Sequence, residues 1–128
     1  MNSKSGAERR QADRREIIDQ FSFYICIPKL GFTRHQVNDV SELGIGFTLD
    51  TLGEFKLKKD ETCELQFYLN QSLFLKLDIK VMRQIDSAAT QEVGATFLNQ
   101  ESPQYQTLLT IVRLIDQLAE AGSLIEQS

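Results

Sequence analysis

Glu64-Leu65-Gln66-Phe67-Tyr68-Leu69-Asn70-Gln71-Ser72-Leu73-Phe74-Leu75-Lys76-Leu77-Asp78-Ile79-Lys80-Val81 is the stretch that decides the fold. Leu65, Phe67 and Leu69 alternate with Glu64, Gln66 and Tyr68. After the polar break Asn70-Gln71-Ser72, Leu73, Leu75, Leu77, Ile79 and Val81 resume the alternation, with Lys76, Asp78 and Lys80 opposite. Successive side chains of an extended chain point to opposite faces, so a period of two is what one dry and one wet face demand. Two such runs around a short break predict a long antiparallel hairpin.

The same period recurs on both sides. Upstream, Phe21, Phe23, Ile25 and Ile27 fall opposite Ser22, Tyr24 and Cys26, until Pro28 removes a ladder donor and ends the strand. Further strands are expected over residues 32–37 and 45–49. Downstream, a loop at residues 86–91 leads to Val93, Ala95 and Phe97, again spaced by two. About six short strands separated by turns predict a mainly-β, closed antiparallel barrel, because closure removes exposed edges.

The period then changes. Ser102 is placed to cap a helix with Pro103 at its first position, where the missing N–H costs nothing. Leu108, Ile111, Ile115, Leu118 and Ile125 recur at spacings of three and four, predicting a C-terminal α-helix over about residues 102–122, ending near Gly122. Leu109, Val112, Leu114 and Ala119 make its apolar stripe wider than one contact needs. A homodimer formed through this helix is one expected use of the excess.

Composition bounds the function. The chain has 128 residues, 41% hydrophobic and 25% charged, which is ordinary for one globular domain. A chain of this length buries roughly two-thirds of its unfolded surface and needs no metal or disulfide to hold a core. Cys26 and Cys63 lie in strand-like segments and read as buried thiols acting as small hydrophobes. The formal net charge is −4, against the basic surface that a DNA- or RNA-binding domain needs, so any bound anion is small and held by a few placed cations. A barrel for single-stranded nucleic acid would also need basic residues beside its aromatics, and Tyr24 and Tyr68 have Cys26 and Gln66 there. No secretory h-region and no apolar run near 20 residues is present, so a cytoplasmic protein without a membrane span is expected.

Enzyme signatures are missing from the sequence. His35 is the one histidine and has no metal-ligand spacing to either cysteine. There is no GxSxG elbow or P-loop, and Gly44-Ile45-Gly46 is too short for a dinucleotide fingerprint.

Two local features remain. The first is Glu8-Arg9-Arg10-Gln11-Ala12-Asp13-Arg14-Arg15, which taken alone reads as a solvated tail. Glu8, Asp13, Glu16 and Asp19 nearly cancel the five cations between Lys4 and Arg15, so placement and not bulk charge must make the arginines useful. In a helix Arg9 faces Asp13 and Arg15 faces Asp19, whereas Arg10 and Arg14 repel until an anion lies between them. The arginine fork suits both phosphate and the O6/N7 edge of guanine. The second feature is Asp39-Val40-Ser41-Glu42-Leu43-Gly44 between two strands, which on its own reads as a tight turn. Read functionally, Asp39 and Ser41 could bond a guanine edge, while Gly44 lets the backbone approach a flat base.

Together, Arg9-Arg10-x-x-x-Arg14 before the first strand and Asp39-x-Ser41-x-x-Gly44 between early strands resemble the PilZ domain family. Cys63-Glu64-Leu65-Gln66-Phe67, Lys80-Val81-Met82-Arg83, Val93-Gly94-Ala95-Thr96-Phe97 and the terminal helix extend the resemblance over nearly the whole chain. It implies a six-stranded Greek-key barrel and a receptor, not an enzyme, for the bacterial second messenger cyclic di-GMP, with no other cofactor. Carried over, Arg9, Arg10 and Arg14 would hold phosphates and guanine, Asp39 and Ser41 a guanine edge, and Gly44 the turn. Arg83 falls where the family often has an arginine, but reads first as a solvated strand end. The expected organisation is a flexible arginine-motif segment at residues 1–19 and a barrel with its helix at 20–128. Binding would change the conformation offered to a protein partner; a degenerate PilZ-fold interaction module that does not bind the nucleotide is the alternative. One departure stands out: Arg15-Glu16-Ile17-Ile18-Asp19 separate the motif from the first alternation. Either the strand begins at Ile17 or the arginines hang on a longer tether.

Overall fold

The computed structural model describes residues 6–31, 33–50 and 56–126, with side chains for 12–31, 33–50 and 56–121. Phe32, expected in the second strand, and the side chain of Ile125 lie outside the described residues. In chain order the elements are α1 (Gly6–Phe21), β1 (Tyr24–Cys26), a 3-10 turn (Pro28–Leu30), β2 (His35–Val40), β3 (Gly44–Asp50), β4 (Thr62–Tyr68), β5 (Phe74–Asp86), β6 (Thr90–Phe97) and α2 (Pro103–Glu126).

The six strands close into a barrel in the order β1-β2-β3-β6-β5-β4, with every pairing antiparallel. β4, β5 and β6 follow one another as neighbours and β3 returns beside β6, which makes the Greek key. The hairpin read from residues 64–81 is present, running Tyr68↔Phe74 to Thr62↔Lys80. Asn70 shapes its turn, its side-chain oxygen accepting from the N–H of Ser72 at 2.9 Å and of Leu73 at 2.7 Å. Leu73 is exposed, so the dry face of β5 begins further along than the alternation suggested. Ile25, Val37, Phe47, Phe67, Ile79 and Phe97 fill the interior.

The first strand is shorter than its alternation predicts. Phe21 ends α1 and is more than half exposed, and Ser22 leaves the helix with φ +58°. Only Tyr24–Cys26 pair, with β2 on one side and β4 on the other. No strand begins at Ile17; the residues that separate the arginine motif from β1 are helical. Residues 6–21 are helical, and α1 packs against both α2 and β2. Its anchor is Ile18, fully buried in the common core, whose burial contributes about 2 kcal/mol.

Helix α2 starts where expected. The Ser102 hydroxyl accepts from the Tyr105 N–H at 3.1 Å, with Pro103 at the first helical position. Leu108, Val112 and Ile115 are buried, and α1 supplies within the chain a second contact for the wide apolar stripe. Leu114 stays exposed.

Candidate functional site

Across the outer wall of the barrel, one cross-strand row reads Asp39 on β2, Gly46 on β3, Gly94 on β6 and Arg83 on β5. Two glycines side by side leave the middle of the wall without side chains, so bare backbone forms a floor. The ends of the row are set by two β-bulges, one between Val37 and Asp39 and one between Val81 and Arg83. Each bulge turns a charged residue outward while the hydrophobic neighbours Val37, Val40 and Val81 stay buried.

The result is an open cavity of ≈ 680 Å³. Asp39, Ser41 and Gly44 line one end, Arg83 and Glu92 the other wall, and Arg15 reaches in from α1. Its apolar lip is Leu43, Met82 and Ile85, of which Leu43 is 81% exposed. An apolar group free to water beside bare backbone and arginine suits a flat, partly apolar, partly anionic ligand.

The Asp39–Gly44 corner is held from behind. The Ser41 N–H donates to the Gly44 carbonyl at 2.9 Å. The Glu42 carbonyl accepts from the buried Tyr105 hydroxyl of α2 at 2.7 Å, and the Leu43 carbonyl from the Thr96 hydroxyl at 3.0 Å. Gly44 is required here: a Cβ would lie 2.2 Å from the Ala95 carbonyl oxygen. At Gly94 the constraint is softer, because what a Cβ would meet is the Arg83 side chain, folded over the glycine with Nε at 2.8 Å.

Arg14 joins the helix to this corner. Its Nε and Nη2 donate to the two carboxylate oxygens of Asp39, each at 3.1 Å, in the bidentate geometry that favours arginine over lysine. Hydrogen bonding to Asp39 raises the Arg14 pKa above its ordinary value, outweighing its partial burial. A second carboxylate, Asp116 of α2, stands 3.7 Å from Nη1.

The structure thus brings Arg14, Asp39, Ser41 and Gly44 into one neighbourhood. Arg9 and Arg10 belong to α1, but their side chains lie outside the described residues. Sequence reasoning passed over Arg15, Gly46, Gly94 and the lip of Leu43, Met82 and Ile85. It also took Arg83 first for a solvated strand end, whereas it covers part of the floor. The clue available was glycine in two strands at positions that pair, visible only once the register is known. Among the described residues no group of histidine, cysteine, aspartate and glutamate side chains could hold a metal ion. Among them, too, no helix is long and apolar enough to cross a membrane.

A small closed antiparallel barrel, with its polar features on the outer wall and a helix at each end of the chain, is the class that fold and trough define. The chain belongs to the PilZ domain family, whose sequence model matches residues 8–115. No curated protein matches it. Among solved structures it is similar to YcgR in complex with c-di-GMP from Escherichia coli, at 21% identity and TM-score 0.57, over 83% of this chain and 45% of that one. It also resembles the K. pneumonia MrkH–c-di-GMP complex, at 20% identity and TM-score 0.58, over 79% of this chain and 48% of that one. The isolated PilZ domain of YcgR with c-di-GMP aligns at 19% identity and TM-score 0.56, over 79% of this chain and 87% of that domain. The chain therefore spans about half the length of full YcgR and MrkH, and the likeness carries the fold.

Proposed function

We propose that this chain is a cyclic di-GMP receptor without catalysis, in which the arginine helix and the Asp39–Gly44 corner take the ligand over the glycine floor. The observation that carries the reading is the Arg14–Asp39 pair, which ties α1 to the corner at one end of the trough. A guanine presents N–H donors on its Watson–Crick edge and acceptors at O6 and N7. Asp39 and Ser41 match the first set; Arg83 and Arg15 match the second. Arg10 and Arg14, with Arg9 in support, would turn to the phosphates. Leu43, Met82 and Ile85 offer apolar surface to the base faces. The cavity volume falls in the range usual for small-ligand sites.

In this reading Arg14 exchanges one anion for another, leaving a carboxylate to meet a phosphate. Each charge-assisted hydrogen bond contributes about 1.5–3 kcal/mol, so four or five support micromolar or better affinity after ordering costs. The segment before the barrel moves as a unit, and the altered α1–α2 surface is what a downstream protein or a second copy of the chain would read. The family's similarity to complexes of this ligand supports the ligand choice.

One observation favours the rival, a PilZ-fold interaction module that does not bind the nucleotide: Arg14 and Asp39 already satisfy each other. A calorimetric titration with cyclic di-GMP separates the two. Receptor function gives saturable heat that Arg10→Ala and Asp39→Ala each abolish while circular dichroism stays that of the folded barrel. No heat and no rise in melting temperature for the unaltered chain would leave the interaction module.

A further inference from the structure

Arg14 stands between two carboxylates on different elements. Asp39 on β2 accepts from its Nε and Nη2, and Asp116 Oδ1 on α2 lies 3.7 Å from its Nη1. The two contacts are unequal. Asp116 Oδ1 is shielded from solvent and has no hydrogen-bond partner, so the nearby guanidinium offsets its charge without bonding it closely. Asp116 follows the buried Ile115 and lies one turn after the buried Val112, which fixes its backbone against the core. On the facing helix, Ile18 is four residues after Arg14 and therefore on the same side of α1, where it is fully buried. An ion contact and an apolar contact one turn apart thus hold α1 in place.

We propose that Asp116 is a positioning residue that holds Arg14 in the empty chain and competes with the ligand for it, lowering ligand affinity and coupling binding to release of α1 from α2. The proposal rests on the cyclic di-GMP reading and adds its regulation. Asp116 need not touch the ligand. When Arg14 turns to a phosphate, the Asp39 and Asp116 carboxylates lose the guanidinium between them. Loss of the Arg14–Asp116 contact then loosens α1 on α2. Holding a binding group in a non-binding arrangement reduces apparent affinity by the fraction of chain that is competent. With Asp116 40% exposed, the contact belongs among partly solvated ion pairs, and its removal is worth about a two- to five-fold change in affinity.

The test is a titration of cyclic di-GMP into the full chain and into Asp116→Asn and Glu120→Gln, with hydrogen exchange on the α1 amides of the empty proteins. Asp116→Asn is expected to bind about two- to five-fold tighter and to exchange faster along α1. Glu120→Gln makes the same charge change one turn further along α2 and is expected to do neither. Unchanged or weaker binding in Asp116→Asn, or equal tightening in Glu120→Gln, would overturn the proposal. If the unaltered chain gives no heat, the receptor reading falls and the role of Asp116 falls with it. If the chain binds, Arg10→Ala does not, and Asp116→Asn matches the parent, only the role of Asp116 is lost.

Discussion

On the wall formed by β1, β4 and β5, Tyr24 stacks on Tyr68 at 4.7 Å and Tyr68 on Phe74 at 4.8 Å. Arg34 closes that row 4.6 Å above the Tyr24 ring. On the wall formed by β2, β3, β6 and β5 the row reads Asp39, Gly46, Gly94, Arg83. Both rows run across neighbouring strands, and both end in an arginine. In the first, rings fill the space above the sheet and stabilise the strands they join. In the second, no side chain rises from the two middle positions, and only Arg83 folds over part of the floor. The contrast teaches that a barrel wall becomes a candidate site by omission, with one row packed for stability and the other cleared for a guest.

The sharpest way to break the comparison is to put a methyl on the cleared wall where backbone lies beneath it. Gly44→Ala drives a Cβ into the Ala95 carbonyl, so β3 and β6 must part. We expect a loss of about 3 kcal/mol, a fall of roughly 10 °C in melting temperature by calorimetry. On the packed wall, Tyr68→Ala removes the middle of the ladder. It should cost about 2 kcal/mol by denaturant titration and leave cyclic di-GMP affinity unchanged. Altered affinity there would show that the two walls are not separate in function.

Gly94→Ala sharpens the comparison. Its methyl meets only the Arg83 side chain, which can swing aside, so stability should barely change. The floor is raised, however, and ligand affinity should fall about tenfold by calorimetry, or about 1.4 kcal/mol. The smallest effect is at the seam, where His35 pairs with Ile25 across β1 and β2. Burial lowers the His35 pKa, partly opposed by Asp50. The folded chain therefore prefers the neutral ring, while the unfolded chain takes up a proton below about pH 6.5. This contribution is fully present above that pH and is lost as pH falls toward the depressed value. Melts from pH 7.5 to 5.5 should show a loss under about 1 kcal/mol that His35→Gln removes.

Where burial alone decides, the sequence was legible. The β4–β5 hairpin, β6 and the Ser102-Pro103 helix start all follow from period and capping. β1 was misjudged because Phe21 and Phe23 keep the alternation although Phe21 closes a helix. α1 itself carries little apolar periodicity. Tertiary contacts through Ile18 and Arg14 support it, and propensity does not show these. For the site, Asp39, Ser41, Gly44 and Arg14 were readable as types in order. Their neighbours Arg83, Gly94 and Arg15 were not, since register and bulges decide which side chains share a face.

The bulges have a further consequence. Asn38 and Met82 each insert one residue that no partner strand matches. Excising either would restore plain alternation with Asp39 still opposite Gly46, or Arg83 still opposite Gly94, and would remove the local bend and twist that the extra residue adds. The curvature of the trough is therefore written into two residues that pair with nothing across the sheet. A deletion of one codon, changing neither charged end of the row, would flatten the wall that carries them.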